Sequence, residues 1–249
     1  MNIMDPLNFL ASGNLNLALL KLKEIISENP TKENYQLLGR VLLELGKDEE
    51  AVDAFLKAED YIAAANILLM KDPDKSLSLI KEKEGKDARI IRAMLYLRKE
   101  KYEDAMKELE GIEDFSPILL KVKGISEYHS GRFYEALRDL SKAILAYPLD
   151  SDLFYYRALT RMALGDEREA ERDLDVAINL NPYYAEAYLN KGILTEKRGD
   201  IQGAISLYSK SIDLRPNYKE AYLRRSRAYS KAGKEKEAKS DLEKSENIT

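Results

Sequence analysis

No cysteine and no tryptophan occur among the 249 residues, and histidine occurs once, at position 129. Without cysteine the chain has no thiol nucleophile, no disulfide and no thiolate ligand for a metal. A lone His129 cannot build a multi-histidine metal site. As a catalytic base it lacks a GxSxG elbow to serve, so a polar helix residue is the better reading. Also missing are a GxxxxGK phosphate loop and a GxGxxG after a strand. No segment approaches the ~18 uninterrupted apolar residues of a membrane span. Residues 1–20 carry Asp5 and no basic residue, unlike the basic start of a secretion signal. The net charge of −4 gives no overall pull towards nucleic acid or anionic lipid. These absences lead to the expectation of a cytoplasmic protein that is not an enzyme, with no cofactor, no metal and no membrane or nucleic-acid partner.

What is present is charge and helix-forming residues. Charged side chains make up 34 % of the chain and hydrophobic ones 45 %, a balance typical of solvated helical proteins. The carboxylates sit beside other charges at helix spacing, as in Glu167 with Glu171, Glu235 with Lys239 and Glu237 with Asp241. That is ordinary solvated helix surface rather than an acid–base pair.

A fixed period organises the C-terminal half. Gly131, Gly165, Gly199 and Gly233 follow one another at steps of 34 residues. Ala136, Ala170, Ala204 and Ala238 keep the same step, as do Leu140, Leu174, Tyr208 and Leu242. Pro148, Pro182 and Pro216 close three successive units. With 12 glycines and 7 prolines in all, this register marks a helix–turn–helix repeat. The sequence resembles the tetratricopeptide repeat family. Residues 185–218 carry the pattern most fully, with Tyr188, Gly192, Ala204, Tyr208, Ser211 and Pro216, while Lys191 and Thr195 depart from it. Residues 117–150, 151–184 and 219–249 repeat it, giving a regular array of four units over 117–249.

The N-terminal part, 1–116, is looser. Residues 32–59 keep Gly39, Gly46, Ala51 and Phe55, and 86–116 keep Ala93, Ala105 and Leu109 but put Glu100 where the turn glycine belongs. Residues 1–31 keep Gly13, Ala18 and Leu22 behind a short first helix after Pro6. Segment 60–85 is degenerate and reads as two shortened helices, 60–71 and 74–83, broken at Asp72–Pro73, where proline can open the second helix. Whether this segment kinks the array stays open between a kink and a straight run. The resemblance implies an all-α fold, an α-α superhelix: a right-handed, continuous solenoid of about eight hairpins with the first helices on the concave side.

The spacing also carries its own physics. Gly or Ala at the eighth position and Ala at the twentieth let paired helices approach closely. Bulky residues at the fourth and twenty-fourth fill the gap, and glycine at the fifteenth supplies the left-handed turn. One hairpin alone leaves an apolar face uncovered, so stacking completes the core. The polar last helix, 234–246, suits a solubilising cap.

By resemblance, the concave side holds a partner. Its positions read Met94, Lys121, Ile125, Tyr128, Tyr155, Leu159, Met162, Leu189, Asn190, Ile193, Arg224 and Arg227, with Ile90, Leu97, Ile118 and Leu223 extending the apolar run. The expected partner is another protein, presented as an extended peptide or amphipathic helix. The competing reading is that these apolar groups pack against neighbouring first helices. Self-association through exposed repeat ends or the irregular 60–85 region is the alternative function. The carboxylate clamp of some relatives is not met: Asn190 and Arg224 match, but Tyr155, Leu159 and Glu220 stand at the other three positions. The basic run Arg224, Arg225, Arg227, Lys231 and Lys234 is interleaved with Glu220, Glu235 and Glu237, so a solvated helix pair outweighs a nucleic-acid patch.

Overall fold

The computed structural model describes residues 12–112 and 116–248. Among them it is all helical, with fifteen α-helices and no strand, in the α-α superhelix class that the repeat implies. The chain divides into two compact units, residues 1–112 and 113–249.

The first unit contains α1 (Leu15–Glu28), α2 (Lys32–Glu44), α3 (Asp48–Lys57), α4 (Tyr61–Lys71), α5 (Pro73–Ile80), α6 (Lys86–Arg98) and α7 (Tyr102–Leu109). Three antiparallel hairpins form, α2 with α3, α4 with α5 and α6 with α7, and α1 packs on α2. The short first helix expected after Pro6 falls on residues outside the described ones. Side-chain caps start several helices: Asn14, Thr31 and Asp60 each accept a hydrogen bond from the backbone N–H three residues on. Asp72 closes α4 and caps α5 through the Lys75 N–H, and Pro73 takes the first helical position. The irregular segment is therefore a true hairpin, three residues shorter at its end than the expected 83.

The second unit contains α8 (Pro117–His129), α9 (Phe133–Ala146), α10 (Ser151–Leu164), α11 (Glu167–Leu180), α12 (Ala185–Lys197), α13 (Ile201–Leu214), α14 (Lys219–Lys231) and α15 (Glu235–Glu246). These pair as four hairpins, and each second helix packs on the next first helix. First helices also touch one another, α8 with α10 and α12 with α14, which makes the first-helix row the tighter side of this unit.

The close approach within each hairpin explains the small residues. A Cβ added to Gly192 would stand 2.6 Å from the Tyr208 ring, and one on Gly124 would stand 2.7 Å from Leu140 Cγ. Gly39 meets Phe55 in the same way, at 2.8 Å. The twentieth-position alanines are buried throughout, from Ala51 and Ala105 to Ala136, Ala170 and Ala204. Leu140, Leu174 and Tyr208 are fully buried at the twenty-fourth position, but Leu242 is 45 % exposed. The reason is local: α15 packs chiefly on α14, which leaves one flank of Leu242 open.

Candidate functional site

The second unit places the expected partner-facing residues on its first-helix row, and it sorts them into three sets. Ile125, Tyr155 and Leu189 are buried. At these three positions burial favours the competing reading, packing between helices: Leu189 sits in a cluster with Ala204, Ile205, Tyr208 and Ala221. The Tyr155 ring lies 4.7 Å from the Tyr184 ring and 5.3 Å from that of Tyr156. Its phenol accepts a hydrogen bond from Asn190 Nδ2 at 3.2 Å. Burial pushes the Tyr155 phenol up, so it stays neutral.

A second set is already partnered through polar groups. Lys121 Nζ donates to Asp150 Oδ2 at 2.8 Å and to Asp152 Oδ2 at 2.9 Å, tying α8 to the start of α10. Burial pulls the Lys121 ammonium down, but the two carboxylates outweigh it and leave it raised. Burial, followed by the Asp152 carboxylate, pushes the Tyr184 phenol up. Asn190 also donates to the Glu186 carbonyl, and Arg224 is held by Glu220 at 2.7 Å.

The third set keeps part of its surface exposed. Tyr128, Leu159, Met162 and Ile193 are half-buried, and Arg227 is exposed. Tyr128 stacks edge-on at 5.0 Å with His129 and at 6.1 Å with Tyr156, which fixes the aromatic end of the row. Leu159, Ile193 and Arg227 occupy one register on α10, α12 and α14, so the row runs from aromatic and apolar to cationic. Met94 belongs elsewhere: it packs in the first unit against the cluster of Ala65, Leu69, Ile80, Ile91 and Leu95.

The basic run at the end of the unit is mostly neutralised. Arg225 reaches Asp241 at 2.7 Å and Ser209 at 2.9 Å, Lys231 reaches Glu196 at 2.7 Å, and Lys234 lies 5.9 Å over the Tyr229 ring. The other oxygen of Glu196 accepts from the Tyr208 phenol at 2.7 Å.

One buried carboxyl without a hydrogen-bond partner was not singled out by sequence reasoning. Glu127 is 2 % exposed on α8, and its Oε2 has no hydrogen-bond partner. Desolvation, with the Asp139 carboxylate nearby, pushes its carboxyl up to about 7. A glutamate in a register where the other hairpins carry Arg161, Thr195 and Tyr229 was the signal available. Among the described residues no group of three His, Cys, Asp or Glu is placed to hold a metal, and no helix is long and apolar enough to cross a membrane.

Two family models, each described as "Tetratricopeptide repeat", match this sequence, one over residues 157–219 and the other over 33–64 and 219–249. Together the matched segments take in half of the chain. No curated protein matches it. Among solved structures, a crystal structure of MamA superposes with a TM-score of 0.53 at 23 % identity, over 63 % of this chain and 93 % of that one. A second MamA structure gives 0.54 at 22 %, over 64 % and 89 %. The APC/C hetero-tetramer Cut9–Hcn1 gives 0.68 at 16 %, over 90 % of this chain and 48 % of that one. At such identities the likeness carries the fold.

Proposed function

Because the chain belongs to the tetratricopeptide repeat family, a scaffold fold that typically serves protein–protein interaction, we propose that it is a cytoplasmic, non-enzymatic adaptor that holds a peptide or helix of a partner protein along the first helices of its second unit. The single observation that carries this reading is the half-buried row Tyr128, Leu159, Met162 and Ile193, which leaves apolar and aromatic surface on the tighter side of the stack. Half-exposed Met and Tyr side chains adapt to a ligand at little entropic cost. The Cut9–Hcn1 neighbour is itself an assembly of different chains, which supports a protein as the partner.

The test compares wild type with Leu159→Gln/Ile193→Gln. Glutamine keeps an unbranched stem at each position but removes the β-branch of Ile193, which packs on the cluster of Leu189, Ala204 and Tyr208, so thermal unfolding of the variant is compared with wild type before binding is read. Tyr155 is a poor choice for such a test, because its burial makes any charged replacement a folding defect. Proteins recovered from native lysate by wild type and lost by the variant support the groove; equal recovery of every protein sinks it.

A second reading, self-association, is favoured by a different observation. Leu145, Leu149 and Tyr183 are 85 %, 81 % and 80 % exposed, and Leu149 and Tyr183 hold the same place in consecutive inter-hairpin turns. Light scattering that finds only monomer across a wide concentration range, with and without Leu149→Glu/Tyr183→Glu, counts against it.

A further inference from the structure

Charge on the first-helix row is matched almost residue for residue. Asp150 and Asp152 are held by Lys121, Glu186 by Arg215, Glu220 by Arg224, and Glu196 by Lys231 and Tyr208. The lysines and arginines of α8, α10, α12 and α14 likewise each meet a carboxylate or, for Lys219, a carbonyl. Among the lysines and arginines of these four helices Arg227 is the exception, as the buried Glu127 of α8 is among their carboxylates. It is exposed on α14, in register with Leu159 and Ile193, and has neither an ion pair nor a hydrogen bond. An arginine fork is built to take a carboxylate through two parallel N–H donors. An unmatched cation at one end of a half-buried apolar row therefore leaves a specific vacancy in charge.

From this we infer that the partner is a peptide whose apolar side chains lie over Leu159 and Ile193 and whose Asp or Glu side chain meets Arg227. The inference rests on the groove reading above and gives that groove a direction: apolar towards α10, cationic towards α14, so that the acidic residue of the peptide lies over α14. Complementary charge of this kind sets specificity and orientation more than raw affinity. No nearby acid competes for Arg227, because the Glu196 and Glu220 carboxylates are already engaged.

The test uses the full chain as bait against a displayed library of short random peptides. Peptides selected by wild type should combine apolar positions with Asp or Glu. Their binding should fall about tenfold on Arg227→Glu, which keeps the wild-type melting temperature because Arg227 has no internal partner. Replacing the selected acid by Lys should restore part of the binding to Arg227→Glu. Selected peptides without an acidic bias, or with equal affinity for Arg227→Glu, overturn the assignment of Arg227 and leave the groove standing. If the same peptides bind Leu159→Gln/Ile193→Gln as tightly as wild type, the groove itself is wrong. Recovery of no peptide by wild type overturns both.

Discussion

Arg157 grips both oxygens of Asp173, at 2.9 and 2.7 Å, across the two helices of one hairpin. Arg225 holds Asp241 in the same way, at 2.7 and 2.9 Å, and Arg92 holds Glu108 at 2.9 and 2.8 Å, always with the same separation of 16 residues. Asp173 is 3 % exposed and also accepts from Arg161 at 2.6 Å. Removing the carboxylate leaves two half-buried guanidinium groups facing each other. Asp173→Ala should cost about 3 kcal/mol in urea unfolding, whereas Arg157→Met/Asp173→Leu should recover part of that loss, because an apolar pair replaces one arm of the buried network while Arg161 keeps only Glu169. A double variant no more stable than the single one would assign the loss to packing around Asp173 instead.

Tyr208 fills the space that Gly192 leaves, with its phenol held by Glu196 at 2.7 Å. Gly192→Ala drives a methyl into that ring and should destabilise by about 2 kcal/mol. The neighbouring hairpin shows the remedy, since Ala158 and Leu174 are both fully buried at the corresponding positions. Gly192→Ala/Tyr208→Leu should therefore be more stable than Gly192→Ala alone. Thermal unfolding of the four proteins reads the coupling directly, and additive effects would refute a shared site.

Glu100 has φ 56, in the turn register where Gly131, Gly165, Gly199 and Gly233 have φ between 74 and 88. A side chain in this left-handed region costs roughly 1–2 kcal/mol. Glycine relieves that strain but gains freedom in the unfolded chain. Glu100→Gly should still raise stability by about 0.5–1 kcal/mol in urea unfolding, and a loss would show that the Glu100 side chain makes a compensating contact.

The hairpins themselves were legible, because steric closeness imposes small residues at a fixed step: Gly124, Gly192, Ala136 and Ala204 announce where helices touch. The left-handed turn at Glu100 was legible from register alone, despite the wrong residue for it. The depth of the site was not. Periodicity places Tyr155, Leu189 and Leu159 on the same row but does not tell how tightly successive first helices close, and that closeness buries the first two and leaves Leu159 half open. The ion pairs left a signal that went unread: Lys123, Arg157, Lys191 and Arg225 recur at the repeat step, as do Asp139, Asp173 and, beyond Leu207, Asp241. Charge on a helix reads as solvated surface until the partner helix is in place. The freedom of Arg227 is a property of its neighbours, which no single position could disclose.

Glu127 makes stability depend on pH in a direction opposite to that of a salt-bridged carboxylate. Its folded-state value of about 7 lies above the ordinary 4.5, because burial disfavours the charged form and Asp139 adds to the effect. The folded state thus binds a proton more tightly than the unfolded state. The stabilisation is fully present below about pH 4.5 and is lost as pH rises through about 7. Lys123, Arg138 and Arg132 pull the other way but do not cancel it. Glu127→Gln keeps the shape without the charge. At pH 8 it should be more stable than wild type by roughly 1–3 kcal/mol, and near pH 4.5 the two should agree closely. Urea unfolding of both proteins from pH 4.5 to 8 reads the difference. Parallel stability curves across that range would show that Glu127 is charged and satisfied in the folded protein, and that its carboxylate has found a partner on α8 or α9.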